Sequence, residues 1–415
     1  MRAKSMFGLV VGLVITSLCI VGYTPQVQAA TSKKTEILFG GSLGISGKFA
    51  ETGRLLEQGM KLWFKETNKA GGIYVKEYGA KLPVRWIIYD DNSDPATGAK
   101  LYEKLITHDK VDFVTLPYSS GIVFAATTVT EKYQKVGISH TGSSDKIFTR
   151  GFDYCFNHIG LASHHLDGVA DLLKNLEPRP KTIAMAVIQE LYTLTVAETF
   201  RKTVQDMGFE VVLYDEIPSE IKDASSVIHK MKALEPDVFV GLTRSPSAAL
   251  FGKQMKALDF RPKLIYLNEG PEMQWYLDEF GEDAEGIVSR FLSYANPKDA
   301  MIIDFTKRIE AMGVSFNPIY HAHPYDCLEI IRQAIEATGT LDNTKIAEYI
   351  RTHEIPGMLM GKNHKANFKD FGDYNGVNVN LSPVATQVQN GKIVVLWPEW
   401  CQEAKPWYPL EPWKK

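Results

Sequence analysis

The chain is poor in cysteine and carries no excess of positive charge. It has 4 cysteines in 415 residues and a formal net charge of −3 at pH 7. So few cysteines argue against a small scaffold held together by disulfides. No basic stripe with interleaved aromatic residues occurs, so we predict no nucleic-acid partner.

Long hydrophobic runs are also missing, apart from one at the N-terminus. The run from Phe7 to Val21 is shorter than the ~20 residues that a membrane-spanning helix needs. Arg2 and Lys4 precede it, and small residues around Ala29 follow it. This pattern favours a signal peptide over residues 1–29, cleaved near Ala29, over a membrane anchor. We therefore expect an exported, periplasmic protein.

Metal-binding patterns are absent. Once the signal is removed, Cys155, Cys327 and Cys401 remain, and their wide spacing carries no metal signature. They allow either one bridge with a spare thiol or no bridge, and we assign no disulfide. The pairs His164-His165 and His321-x-His323 lack the i, i+4 spacing of a catalytic zinc site, so we expect surface or capping histidines.

Catalytic motifs are missing too. The segment 41–48 resembles a phosphate loop, but Ser42 stands where the first glycine belongs and Phe49 replaces the Ser/Thr that would reach Mg²⁺. No G-x-G-x-x-G follows the first strand. A triad of Ser119, His140 and Asp145 would need a geometry that the sequence does not indicate. We predict no enzyme activity, no catalytic residue and no cofactor.

What the chain does contain is a repeated alternation of strand and helix. One series runs from Glu36 to about Ser144 and a second from Leu166 to Leu267. Such alternation predicts parallel sheets wrapped by helices, and two series suggest two similar α/β lobes. A hairpin through Asn390-Gly391 follows near residues 384–395. The tail, residues 397–415, is rich in Pro and Trp, and the sequence gives no account of it.

One strand end is organised for polar contacts. Asp112 to Leu116 reads as a buried strand, Pro117 ends it, and a helix starts near Val123 after Tyr118-Ser-Ser-Gly121. Hydroxyls and free N–H groups at a helix N-terminus can bind an anion such as a carboxylate. The alternative is that Ser119 or Ser120 only caps the helix.

The chain resembles periplasmic substrate-binding proteins of the leucine/isoleucine/valine-binding type, which feed ABC transporters. The similarity runs from about Ile37 to Pro398. The segments that carry it, in order, are 41–53, 68–73, 89–95, Tyr118–Ser120, Thr141–Ser143, Asp283–Gly286 and Tyr325–Asp326.

The resemblance implies a type I periplasmic-binding-protein fold, with two doubly wound α/β lobes joined by three crossovers. It places crossings near Asn157–Leu161, Val288–Tyr294 and Phe368–Tyr374. The expected first lobe is 31–158 plus 293–368, and the expected second lobe is 159–292 plus 369–396. A ligand would bind in the cleft between the lobes and be trapped by hinge closure.

The resemblance also implies roles for individual residues. Ser119 and Ser143 match hydroxyls that hold an amino-acid carboxylate, and a backbone group of Thr141 assists them. Phe49 and Tyr192 match aromatic residues that line and close the pocket. Glu269 matches the acid that pairs with the ammonium group, with Glu272 as the fallback.

The sequence departs from the family at several positions. A family disulfide is absent, because Ser93 and Tyr118 stand at its positions. Tyr118 and Arg244 are expected near the cleft, where smaller or neutral groups are usual. Arg244 either pairs with a second carboxylate of the ligand or points to solvent.

The resulting expectation is a non-enzymatic solute receptor of an ABC importer. It would capture an amino acid or amino-acid-like carboxylate and then dock on the transporter permease. The alternatives are a binder of an aromatic acid, an amide or urea, a ligand sensor for a signalling partner, and a hydrolase on the same scaffold.

Overall fold

The computed structural model describes residues 34–413, so the predicted signal peptide lies outside the described residues. The helices are α1 Ala50–Lys69, α2 Pro95–Thr107, α3 Ser120–Lys132, α4 Asp145–Phe148, α5 Asp167–Lys174, α6 Leu191–Asp206, α7 Ser225–Leu234, α8 Ser245–Ala257, α9 Gln274–Phe280, α10 Ala300–Glu310, α11 His323–Thr338 and α12 Asn343–Thr352. The strands are β1 Ile37–Leu43, β2 Ile73–Val75, β3 Ala80–Leu82, β4 Val84–Asp90, β5 Phe113–Thr115, β6 Gly137–Ser139, β7 Cys155–Asn157, β8 Thr182–Ile188, β9 Glu210–Ile217, β10 Val238–Leu242, β11 Leu264–Leu267, β12 Val288–Phe291, β13 Glu354–Pro356, β14 Lys365–Phe371, β15 Tyr374–Asn378, β16 Val384–Gln389 and β17 Lys392–Trp397.

The predicted alternation of strand and helix is confirmed, and it builds two α/β lobes. In the first, β1 pairs in parallel with β4 and β5, and a second sheet has the order β13-β14-β15-β7-β6. The second lobe holds one seven-stranded sheet, β17-β16-β12-β11-β10-β8-β9. Its strands are parallel from β9 to β12, but β16 pairs antiparallel with both β12 and β17. The parallel pairing expected for the strand–helix series is confirmed from β8 to β12, and the predicted hairpin adds the antiparallel pair β16 and β17.

Strand pairing bears on the last crossing between the lobes. β14 pairs with β15, and β15 pairs with β7, so residues 369–378 belong to a sheet of the first lobe. The next strand, β16, lies in the sheet of the second lobe. The pairing favours a crossing between Asn378 and Val384 over one near Phe368–Tyr374. We propose that the first lobe extends to Asn378; the other boundaries stay as predicted.

Three of the four histidines expected at the surface or as caps are buried. His321 and His323 lie in the first lobe, and His165 lies at the start of the second. His321 lies in a π-helical turn, Pro318–Ala322, that packs directly on α1. A Cβ atom at Gly59 would come within 2.5 Å of the His321 carbonyl oxygen, so the close approach depends on that glycine. The turn is buried because α1 has a glycine, Gly59, at the point where the turn packs against it.

The cysteines of the described chain are structural. Cys155, Cys327 and Cys401 are each buried and unbridged. Burial raises the pKa of the Cys155 thiol to about 12, so it stays protonated at neutral pH. Within residues 34–413, no group of three or more His, Cys, Asp or Glu side chains is placed to hold a metal ion.

The Pro- and Trp-rich tail packs on the second lobe. Trp413 is 8% exposed, and its indole N–H donates to the carbonyl of Phe260 at 3.1 Å. The guanidinium of Arg261 lies 4.0 Å from the Trp413 ring centroid. Leu410 N–H donates to the carbonyl of Lys263, in the segment before β11. The tail therefore adds apolar burial to the lobe rather than forming a separate unit.

Replacing Trp413 with Ala should destabilise the protein by about 3 kcal/mol, because a buried indole and its hydrogen bond are lost. Urea unfolding followed by circular dichroism measures the effect. Trp407→Ala is the matched control, because Trp407 is 41% exposed in the same tail. Equal losses for the two variants would contradict the packing role of Trp413.

Candidate functional site

The loops that follow the strands of both lobes meet at one cleft. In the first lobe, Tyr118 and Ser119 follow β5, and Thr141 follows β6. In the second lobe, Arg244 follows β10 and Glu269 follows β11. Open α/β sheets bind ligands at the carboxyl ends of their strands, so this is the expected place for a site.

Ser119 adopts an unusual backbone conformation at the start of α3. Its φ is 70° and its ψ is 144°, in a region that costs a non-glycine residue roughly 1–3 kcal/mol. Its side chain makes no capping hydrogen bond, so capping by the Ser119 hydroxyl is ruled out. Glu269, across the cleft, also has a positive φ of 62°. Strained backbone at two residues facing one cleft is typical of a functional site.

Ser120 joins the two hydroxyl-rich loops of the first lobe. Its side-chain oxygen accepts hydrogen bonds from the N–H groups of Ser143 and Ser144, at 3.1 and 3.0 Å. The loops after β5 and β6 are therefore held as one rigid surface. This leaves the hydroxyl of Ser119 without a bonding partner among the described residues.

A buried cluster of charged and phenolic groups fills the centre of the cleft. Arg244 Nη1 donates to Glu269 Oε1 at 2.8 Å and to the Tyr118 hydroxyl at 3.1 Å. The Tyr118 hydroxyl donates to the same Glu269 oxygen, and the Tyr320 hydroxyl does so at 3.4 Å. Tyr118 and Tyr320 come from the first lobe, whereas Arg244 and Glu269 come from the second. The cluster therefore holds the lobes together.

A second ion pair crosses the cleft near its edge. Lys48 Nζ of the first lobe lies 2.7 Å from Glu190 Oε1 of the second. The other oxygen of Glu190 accepts from Arg244 Nε at 2.9 Å. Lys48, Glu190, Arg244 and Glu269 thus form a continuous chain of alternating charge that joins the lobes in a closed arrangement.

Burial and neighbouring charge act in opposite directions on these groups. Burial lowers the pKa of Arg244, but the opposing effect of Tyr118, Glu269 and Glu190 is larger. The pKa of Arg244 therefore ends well above its usual value. Burial raises the pKa of Glu190, yet Arg244 and Lys48 outweigh it and the pKa ends below its usual value. Both groups are therefore charged at neutral pH.

Two small cavities remain between the lobes, and aromatic rings line both. One, of about 20 Å³, is lined by residues that include Thr141, Arg244, Glu269 and Arg290. The other, of about 170 Å³, includes Lys48, Phe49, Ser119 and Glu190 in its lining. Tyr192 and Arg244 face both cavities. Phe49 and Tyr118 pack edge to face with ring centroids 5.0 Å apart.

Most of the predicted site residues come together here. The two cavities are lined by Phe49, Tyr118, Ser119, Thr141, Tyr192, Arg244 and Glu269. Ser143 lines neither; its hydroxyl is fully buried and has no hydrogen-bond partner. The fallback Glu272 also lies outside both linings. The alternative that Arg244 points to solvent is wrong, because the residue is 7% exposed and its Nε and Nη1 atoms donate to Glu190, Tyr118 and Glu269.

Four further cleft residues were not predicted: Lys48, Glu190, Arg290 and Tyr320. Lys48 and Glu190 stand beside predicted residues, but nothing local shows that they pair across the cleft. A signal for Arg290 does exist, since an arginine inside the apolar strand β12 is unusual. Tyr320 lies in the π-helical turn and carries no sequence signal.

No catalytic triad is assembled. His140 bonds the backbone carbonyl of Leu116, and Asp145 accepts from Ser163 N–H and the Tyr374 hydroxyl. No hydrogen bond joins Ser119, His140 and Asp145, so the arrangement gives no nucleophile-base pair.

A family model described as "Periplasmic binding protein" matches residues 36–378 of this chain. The chain belongs to the periplasmic binding protein family. It is thus a solute-binding protein of the ABC-transporter type, from a family without enzymatic activity. Relatives in this family are periplasmic, and within residues 34–413 we find no helix with the length and apolar character needed to cross a membrane.

Individual relatives of this periplasmic binding protein agree with that assignment. The leucine-, isoleucine-, valine-, threonine- and alanine-binding protein of Pseudomonas aeruginosa is 26% identical over 362 residues, covering 86% of this chain and 92% of the relative.

Solved structures show the same fold. A branched-chain amino acid transporter substrate binding protein of Streptococcus pneumoniae, in complex with isoleucine, superimposes with a TM-score of 0.75 at 22% identity, covering 88% of this chain and 100% of that one. A Rhodopseudomonas palustris solute binding protein, in complex with 3,4-dihydroxybenzoic acid, gives 0.75 at 17% identity, covering 91% and 99%.

Glu272 of this binding protein is a buried acid whose charge depends on pH near neutrality. Burial raises its pKa to about 7. One carboxyl oxygen accepts from Gly270 N–H at 3.0 Å and the Ser289 hydroxyl at 2.9 Å, and the other oxygen has no partner. A carboxyl with a raised pKa stabilises the fold below its unfolded pKa, and this stability is lost as pH rises through the folded pKa.

Glu272→Gln should therefore gain stability relative to the wild type as pH rises. Between pH 4.5 and 8 we expect a relative gain of about 3 kcal/mol, because the amide cannot ionise. Urea unfolding at several pH values measures it. Glu279→Gln is the control, because Glu279 is exposed in the nearby helix α9. The stability of this variant relative to the wild type should not change with pH. A Glu272→Gln curve parallel to the wild type would contradict the buried, titrating carboxyl.

Proposed function

We propose that this protein is the exported solute-binding component of an ABC importer and captures a small carboxylate-bearing molecule between its lobes. The observation that carries the proposal is the convergence of hydroxyls, a helix N-terminus and aromatic rings on a cleft closed by cross-lobe contacts. Hydroxyls and N–H groups bind a carboxylate without reacting with it. The lobes would then present a closed surface to the permease.

The first lobe supplies hydroxyl and backbone N–H groups to the cavities, and the second lobe supplies the aromatic ring that would close over the ligand. Ser119 and the N-terminus of α3 face one cavity, and Thr141 faces the other. Tyr192, from the first turn of α6, faces both cavities from the second lobe. Ligand binding would favour the closed form, because only that form brings both sets of contacts together.

Two ligand classes fit this arrangement. The Pseudomonas aeruginosa relative is named for amino acids, and the Rhodopseudomonas palustris structure contains an aromatic acid. The acid Glu269 favours a ligand with an ammonium group, whereas the rings of Phe49, Tyr118 and Tyr192 favour an aromatic body.

A thermal-shift screen of amino acids, aromatic acids, amides and urea tests the proposal. A ligand at a hundred times its Kd stabilises the folded state by about 2.7 kcal/mol, which is a measurable rise in Tm. Recovery of the ligand unchanged, checked by NMR, separates capture from hydrolysis. Loss of solute uptake on deletion separates transport from sensing. A flat response to every carboxylate would reject the proposal.

Ser119→Gly should weaken binding of the best ligand about tenfold, because a hydrogen bond from the Ser119 hydroxyl to the ligand is lost. The same change should raise the stability of the ligand-free protein by about 1 kcal/mol, because glycine accepts a positive φ without strain. Calorimetric titration and urea unfolding measure the two effects. Ser119→Ala should show the weaker binding without the added stability. Unchanged affinity in both variants would remove Ser119 from the site.

A further inference from the structure

Arg290 is a buried guanidinium that faces the cleft. It lies in β12, in the middle of the seven-stranded sheet, and is 4% exposed. It lines the 20 Å³ cavity together with Thr141, Tyr192 and Arg244. A buried arginine is almost always paired with an acid. The hydrogen-bond acceptors around Arg290 therefore show which of its N–H groups are free to bind a ligand.

The hydrogen bonds of Arg290 are incomplete. Nη2 donates to the Tyr192 hydroxyl at 2.8 Å. Nε and Nη1 are buried and have no acceptor among the described residues, and no ion pair involving Arg290 is formed within residues 34–413. Arg244, only a few side chains away, is by contrast paired with both Glu190 and Glu269.

Among the described residues, no acid forms an ion pair with Arg290. His165 and Tyr192 bond one another beside it, and burial lowers the pKa of His165 to about 3, so the imidazole is neutral. Burial raises the pKa of Glu272 to about 7 and the charge of Arg290 acts in the opposite direction, but the two side chains are not in ion-pair contact. The hydrogen bonds of Glu272 go to Ser289 and the Gly270 backbone instead.

Among the cleft residues that the structure describes, Arg290 is the cation without an ion pair. Lys48 and Arg244 are balanced by Glu190 and Glu269. Arg290 remains, with a planar fork of N–H groups that matches a carboxylate. A zwitterionic amino acid would bring no net charge to balance it. The acid that would receive an ammonium group, Glu269, is already engaged by Arg244 and Tyr118.

We propose that Arg290 binds the carboxylate of the ligand, and that the ligand is a monocarboxylic acid without an ammonium group, preferably with an aromatic body. The inference rests on the proposed function and specifies the class of solute. Thr141 of the first lobe and Arg290 of the second line the same cavity, so one carboxylate can accept hydrogen bonds from both. The rings of Phe49 and Tyr192 form the wall for the rest of the ligand.

Matched ligand pairs test the inference on the unaltered protein. The pairs are L-phenylalanine with 3-phenylpropionate, L-leucine with 4-methylpentanoate, and benzamide with benzoate. Calorimetric titration should show that each acid binds at least about tenfold more tightly than its partner, since an unpaired buried cation discriminates strongly. Tighter binding of an amino acid than of its deaminated analogue would overturn the inference while leaving the proposed function intact. Binding of none of these compounds would reject both.

Substitutions test whether Arg290 is the residue responsible for the preference for acids. Arg290→Met should weaken acid binding about a hundredfold, and Arg290→Lys, which keeps the charge but loses the fork, should recover part of it. Arg261→Met is the control, because Arg261 packs on Trp413 in the same lobe and lies outside both cavity linings. Wild-type affinity in a folded Arg290→Met variant would overturn the inference. If that variant does not fold, the ligand pairs still decide.

Discussion

Replacing Arg244 with Met is expected to destabilise the protein by about 3–5 kcal/mol, because it leaves two carboxylates in the cleft without their shared cation. Glu269 would keep only the hydroxyls of Tyr118 and Tyr320, and Glu190 would keep only Lys48. The unpaired negative charge in the cleft should also weaken capture of a carboxylate ligand about a hundredfold. Urea unfolding and calorimetric titration measure the two losses.

A second substitution separates charge imbalance from lost packing. Adding Glu269→Gln to Arg244→Met removes the unpaired carboxylate, so the double variant should be more stable than Arg244→Met alone. Arg54→Met is the surface control, because Arg54 pairs with Glu51 in solvent and should change stability by less than about 1 kcal/mol. If Arg244→Met unfolded at the same urea concentration as this control, the central cluster would have no structural role.

Asp326→Ala is the other substitution with a large expected effect. Asp326 lies in the first turn of α11 and is fully buried. Its two oxygens accept from the N–H groups of Leu359 and Met360, each at 2.8 Å, and one oxygen lies 3.5 Å from His158 Nε2. Removing them leaves two buried N–H groups unsatisfied and a cavity, so we expect a loss of about 3–5 kcal/mol.

Urea unfolding with matched variants checks this second expectation. Asp304→Ala removes a carboxylate that is 69% exposed and paired with Arg308, and it should have little effect. Asp326→Asn keeps one acceptor oxygen and should fall between the wild type and Asp326→Ala. A loss for Asp326→Ala no larger than that for Asp304→Ala would show that the backbone bonds are replaceable.

Asp326 also shows how a family motif is explained by packing. The segment Tyr325–Asp326 carries part of the resemblance to substrate-binding proteins, but neither residue lines the cleft cavities. Asp326 instead fixes the segment at Leu359 and Met360 to α11, next to His158 at the end of β7. In this chain Asp326 therefore stabilises the fold and lines neither cavity.

Local sequence patterns were sufficient to predict most of the helices and strands. The stripe of Leu56, Met60, Trp63 and Phe64 predicts α1, and all four side chains are buried. The hairpin expected through Asn390-Gly391 joins β16 to β17. Each depends on residues a few positions apart, and such periodicity is independent of the rest of the chain.

The cleft residues also differ in whether local sequence patterns or long-range contacts place them. Ser119 was found because it follows a predicted strand, whereas Thr141 and Arg244 were placed near the cleft through the family resemblance. The bonds of Arg244 to Glu190 and Tyr118 were not predicted, because those residues are 54 and 126 positions away in the chain. The burial of His321 likewise depends on the missing side chain at Gly59, in a helix far from it in sequence.

The sequence by itself determined the two-lobed α/β class and the strand ends that carry polar side chains. These follow from hydrophobic periodicity and turn chemistry, which act over a few residues. Only the tertiary structure decided which charges neutralise one another and which, such as Arg290, stay unpaired. Electrostatic balance depends on distance and burial in space, and residues far apart in the chain set both.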